Sequence, residues 1–234
     1  MDSSDARDQA AGEAFDDTTR SVMPSEKVLR LHLLRHGAVE ELERRAVRGQ
    51  LDVPLSPEGE QQTERLAAWM VAHEKRPDRL GGSDLGRCSQ LGERLAELWE
   101  LPYESTPALR EQDMGEWQGL AWSEISERYG KLVNDYWDDY VHTAPAGGES
   151  MSRMQQRVVQ WWIEAAASQQ DGRLCVVTHV GVIRSLTCYL LDLPLDQALR
   201  LAPGMASHSK LLVSDAGSVI EAFGERPWRF GQTT

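Results

Sequence analysis

Basic residues are in short supply in this sequence. The 25 Lys and Arg stand against 37 Asp and Glu, a formal net charge of −12 over 234 residues. A chain this acidic is repelled by nucleic-acid backbones and anionic membranes, so neither is expected as a partner. Cysteine is scarce too. Cys88, Cys175 and Cys188 are odd in number and none is spaced C-x-x-C, which excludes a disulfide framework and predicts reduced, partly buried thiols in a cytoplasmic protein. No apolar run is long enough to span a bilayer, and no apolar h-region marks a secretory signal near Met1. Metal-ligand spacings such as H-E-x-x-H are missing, so no metal is expected; no organic cofactor is expected either. There is no internal repeat and, after residue 27, no low-complexity linker. With 41% hydrophobic residues, 28–234 can bury the core of a single domain without staples. If the substrate is an anion, the positive charge that holds it must be local.

The stretch 1–27 carries Asp2, Asp5, Asp8, Glu13, Asp16, Asp17 and Glu26 with little apolar periodicity, which predicts a disordered acidic tail. The run Val28-Leu29-Arg30-Leu31-His32-Leu33-Leu34 reads as a buried strand ending abruptly at Arg35-His36-Gly37. Ser56 and Pro57 have the chemistry of an N-cap and first helical position, opening a helix to about His73 with Leu66, Trp69 and Met70 inward. Leu80-Gly81-Gly82-Ser83 is a weaker strand signal. Asp84 follows as a cap for a helix with Leu91, Leu95 and Leu98 on one stripe. Further helices are expected from Trp122 to Tyr129 and from near Glu149 through Val158, Trp161 and Trp162. Leu174 to Thr178 is the clearest strand, apolar throughout as a central strand would be, and it ends at His179. A helix over 182–191 and closing strands near 209–213 and 218–223 complete an alternating α/β pattern.

Two strands thus end in a histidine. Ligands of open α/β sheets bind outside the carboxyl ends of the strands, so His36 and His179 are expected to share one pocket. Arg35 beside the first histidine and Arg87 at a helix start are of the type that grips a phosphoryl group by forked hydrogen bonds.

Six segments, in order over about 28–215, resemble those of the histidine phosphatase superfamily, the phosphoglycerate-mutase-like proteins. They are Leu34-Arg35-His36-Gly37, the segment from Gly49 to Gly59, Ser83 to Gln90, Leu109 to Gly119, Gly147-Gly148-Glu149-Ser150, and Val176 to Arg184. The resemblance implies a three-layer α/β/α sandwich around a mainly parallel sheet. It also implies hydrolysis of a small phosphorylated metabolite through a phosphohistidine. His36 is then the nucleophile and Glu111 the proton donor. Arg35, Arg87 and His179 neutralise the phosphoryl oxygens, and Gly49 belongs to the phosphate-binding set. Without the resemblance, nothing separates Glu111 from the other glutamates.

The chain departs from the family pattern where Ala38-Val39, followed by Glu40-Glu41-Leu42, lack the hydroxyl and the later amide residue usual after the first motif. Val180 and Leu91 replace a glycine and a threonine. The basic cluster Arg44, Arg45 and Arg48 lies in the loop after the first departure. His142 falls in a segment, 136–148, expected to cover the site. The tryptophans read as core, with Trp117 and Trp122 near the pocket mouth. Mutase-type phosphoryl transfer and non-catalytic binding of a phospho-ligand stay open as other readings, as does a homodimer.

Overall fold

In the computed structural model, strand β1 (Leu29–Arg35) lies inside a six-stranded sheet, with apolar residues on both faces. Leu29, Leu31 and Leu33 join one core cluster and Leu34 joins the other, the alternation that a two-sided burial demands. The structure describes residues 27–40, 46–168 and 171–229. The acidic stretch 1–26, and with it Arg44 and Arg45, lies outside the described residues.

The other strands are β2 (Arg79–Ser83), β3 (Tyr103–Thr106), β4 (Gly172–Thr178), β5 (His208–Ser214) and β6 (Gly217–Glu225), in the order β3-β2-β4-β1-β5-β6. The first four of that order run parallel, and the β5–β6 hairpin closes the sheet antiparallel. Helices α1 (Pro57–His73) and α2 (Gly86–Trp99) cover one face. Helices α4 (Met151–Ala167) and α5 (Val180–Leu190) cover the other, and α3 (Trp122–Asp138) lies between α2 and α4 in the chain. This is the three-layer α/β/α sandwich. Leu31, Leu66, Leu91 and Leu186 are fully buried. Truncating any of them to alanine should cost about 2–5 kcal/mol.

Local chemistry explains most boundaries. Ser56 caps α1 by accepting from the Gly59 N–H at 3.1 Å, with Pro57 in the first turn. Ser150 caps α4 by accepting from Arg153 at 3.3 Å, so the helix begins at Met151, close to the expected start near Glu149. Asp84 does not cap α2. Its carboxylate is held by Arg110 at 2.6 and 2.7 Å, a bidentate pair that outcompetes the helix end, and Leu85 takes the cap position without a side-chain bond. The stripe on α2 is also corrected: Leu98 is 38% exposed, and Trp99 turns inward instead. Helix α3 runs past Tyr129 to Asp138, because a kink at Gly130 lets the chain resume a second helical stretch. No helix among the described residues is long and apolar enough to cross a membrane.

Candidate active site

The carboxyl ends of β1 and β4 are neighbours in register, Arg35 beside Thr178, so the residues after them meet. The His36 N–H donates to the Thr178 carbonyl at 3.3 Å and the His36 carbonyl accepts from Ala206 at 2.9 Å, which fixes the backbone from both sides. The rings of His36 and His179 then lie edge to face, centroids 5.2 Å apart at 60°. His36 lines a cavity of about 380 Å³. His179 sits directly behind it, fully buried and off the cavity wall, with Nε2 2.8 Å from Ser83 Oγ and 3.4 Å from Cys88 Sγ.

Nδ1 of His36 lies 2.8 Å from the Gly37 carbonyl, which can only accept. That contact assigns the proton to Nδ1 and leaves the Nε2 lone pair unprotonated. Burial, then the charges of Arg35 and Arg87, push the His36 pKa down to about 3, so the ring is neutral near pH 7.

Arg35 donates from Nη1 to the Pro203 carbonyl at 2.8 Å, and its buried Nε has no partner among the described residues. A buried guanidinium N–H without an acceptor points to an anion that completes it. Arg87, nearly fully buried, donates to the carbonyls of Leu51 and Gly49 at 2.6 and 2.7 Å. Gly49, in the left-handed region at φ +51°, lines the cavity and orients that guanidinium through its own oxygen.

Glu111 also lines the cavity. One carboxylate oxygen accepts the Gly181 N–H at 3.2 Å, in the first turn of α5, where the helix dipole favours negative charge. A Cβ at position 181 would overlap that carboxylate, so glycine is required there. The Glu111 carbonyl is gripped by Gln50 at 3.1 Å and Arg157 at 2.9 Å. Arg157 in turn pairs with Glu149 at 2.7 Å.

Sequence reasoning missed Arg184. It stands three residues after Gly181 on α5, so both reach the cavity wall, and its Nε donates to the Leu201 carbonyl at 2.6 Å. That helical spacing was the available signal. Tyr136, Trp137 and Tyr140 also line the cavity beside Trp122. Trp117 is fully buried behind Trp122, and Trp137 is 52% exposed, so the tryptophans are not uniformly core. His142 is exposed, outside the cavity, and held by Asp139 at 3.0 Å. Of the basic cluster, Arg48 reaches the wall.

The model of the histidine phosphatase superfamily (branch 1) matches residues 31–226, nearly the whole described chain. The chain belongs to this superfamily. Two glucosyl-3-phosphoglycerate phosphatases are each 32% identical to it. The one from Mycobacterium tuberculosis aligns over 86% of this chain and 92% of its own length, and that of Mycolicibacterium vanbaalenii over 73% and 77%. A solved mycobacterial glucosyl-3-phosphoglycerate phosphatase superposes with a TM-score of 0.75 at 27% identity, covering 85% of this chain and 99% of that one. The protein is accordingly a phosphatase of the histidine superfamily.

Burial makes this phosphatase sensitive to acid. His32, His36 and His208 have pKa values pushed down to about 2, 3 and 4, chiefly by burial, and that of His179 is pushed well below its ordinary value by the same cause. In the unfolded chain all four titrate near pH 6.5. Below that pH the unfolded state takes up protons that the native state refuses, so stability is complete above about pH 6.5 and falls as the pH drops. Each histidine contributes about 1.4 kcal/mol per pH unit until its own folded pKa is reached. Thermal melts from pH 7.5 to 4.5 should show Tm dropping steeply below pH 6. A flat profile would mean that the buried rings are protonated in the fold.

Proposed function

We propose that this phosphatase transfers the phosphoryl group of a small, anionic phosphomonoester to Nε2 of His36 and then to water. The observation that carries this reading is the Nδ1 contact with Gly37 O, which leaves Nε2 as the lone-pair nitrogen of a ring on the cavity wall. In the first step the Nε2–P bond forms and the P–O bond to the leaving group breaks, while Glu111 donates a proton to the departing oxygen. In the second, Glu111 removes a proton from water as the new P–O bond replaces P–N. Arg35 and Arg87 offset the charge on the phosphoryl oxygens, while His179, neutral and off the cavity wall, packs against the His36 ring rather than supplying charge. The open guanidinium nitrogen of Arg35 and the place of Glu111 on the same cavity wall as His36 support these roles.

The lining favours a substrate with more charge than a phosphoryl group alone. Arg35, Arg87 and Arg184 line the cavity beside a single carboxyl group, Glu111, which carries a proton when it acts as the donor. A phosphate dianion leaves positive charge over, which suits a second anionic group such as a carboxylate. Trp122 and Trp137, with ring centroids 5.2 Å apart, offer an apolar wall at the mouth of the kind sugar faces pack on. The names of the relatives fit such a compound, a glucosylated phosphoglycerate. A panel of phosphometabolites assayed for phosphate release tests this. Sugar-bearing phosphomonoesters with a carboxylate should give the highest kcat/KM. Equal turnover of their uncharged analogues would reject the charge argument.

Catalysis is proposed to need no metal, since Arg35 and the buried Arg87 supply the positive charge. Full phosphate release in excess chelator is the expected result. Activity lost in chelator and restored by a divalent ion would reject it.

A further inference from the structure

The face of β1 that packs under α1 and α2 carries a polar cluster that the reaction does not use. His32 of β1 and His208 of β5 are 2% and 1% exposed. Nδ1 of His32 lies 2.9 Å from Nε2 of His208, with rings 13° from parallel. That contact leaves His32 Nε2 and His208 Nδ1 buried and, among the described residues, without a hydrogen-bond partner. Such nitrogens lose their hydration and receive nothing in return. Glu74, the residue that ends α1, brings Oε2 to 4.0 Å from His32 Nε2. One ligand atom from each of the three residues lies within 4.8 Å of the others.

We propose that His32, His208 and Glu74 bind one divalent transition-metal ion of the zinc class, at a site separate from the phosphate cavity. Two imidazole nitrogens and a carboxylate oxygen are a donor set that zinc accepts, with the remaining position left to water. Bonds of about 2 Å to each atom hold ligands up to about 4 Å apart, so closing the site takes roughly an ångström of movement. Glu74 is partly exposed and lies just beyond the last helical turn, so its side chain can supply that movement and give the ion a way in. Burial already keeps both rings unprotonated, the form in which imidazole ligates.

Lys210 works against a cation here. Its Nζ lies 3.5 Å from Glu74 Oε2, but also 3.3 Å from Glu221, which retains it when Glu74 turns to the metal. Arg30 and Arg173 add a weaker positive field at His32. Cys175 neighbours His32 in the β1–β4 register, and burial keeps it a thiol. None of the three ligands lines the cavity, so occupancy consumes no group of the phosphoryl-transfer site. The site therefore stands whether or not the proposed substrate is right.

The test uses the full chain, stripped with chelator and titrated with Zn²⁺ against a competing zinc indicator. A parallel titration with Co²⁺ follows the visible absorption of the bound ion. One equivalent should bind, and Zn²⁺ should raise Tm. Glu74→Gln removes one ligand charge and should weaken binding about tenfold or more. Lys210→Met removes the opposing charge and should tighten it several-fold. His36→Ala should bind as the unaltered chain does, which separates this site from the catalytic histidines. No zinc bound above background would overturn the proposal. So would unchanged affinity in both Glu74→Gln and Lys210→Met, or loss of the bound equivalent in His36→Ala.

Discussion

Replacing His36 by alanine should lower phosphate release by about 10⁴-fold or more, because the covalent route closes and only the positioned charges remain. The fold should survive. The substitution leaves the Gly37 carbonyl without its 2.8 Å donor, at a cost of about 1–3 kcal/mol. It also removes a buried ring that resists protonation, so the variant should lose less stability than the parent below pH 6. The decisive measurement is rapid quench with labelled substrate under conditions that preserve phosphohistidine, followed by peptide mapping. Label on the peptide containing His36, absent from His36→Ala, is the expected result. Label on another residue refutes the nucleophile assignment.

Glu111→Gln should produce a different signature. General acid catalysis contributes about 10²–10⁴-fold, and its benefit shrinks as the leaving group becomes a weaker base. The variant should therefore lose most of its rate on alkyl phosphates and much less on activated aryl phosphates, measured on the first phosphoryl transfer. Phosphohistidine should accumulate, since the group that activates water in the second step is gone. Glutamine also keeps an oxygen for the Gly181 N–H, so the start of α5 is little disturbed. Equal losses on both classes of substrate would show that Glu111 supports structure only. Glu40, Glu116 and His142 would then be the other residues to test as proton donor.

These two experiments bear on residues of very different visibility in the sequence. His36 stood out because it ends an apolar strand whose two faces are both buried, and burial disfavours a polar ring without a task. Glu111 did not stand out. Its place depends on a loop tied down by Thr178 Oγ1 at the Leu109 carbonyl and by Arg157, contacts 69 and 46 residues apart in the chain. Residue spacing cannot express such contacts, and only the family resemblance pointed to it.

By itself the sequence determined β1, β4 and α1, together with the alternation that makes an α/β sandwich. These rest on local physics: uninterrupted apolar runs, a serine cap and a proline in the first turn. The tertiary structure alone decided the rest. Edge strand β3 is short and half exposed, so it carries no apolar signal. Asp84 left its helix for Arg110, and Arg184 joined the cavity because α5 turned it there. His32 found His208, 176 residues away, because an antiparallel strand was laid against β1. A local run of residues sets its own dihedral preferences and burial, but charge partners are set by which distant segments the sheet brings side by side.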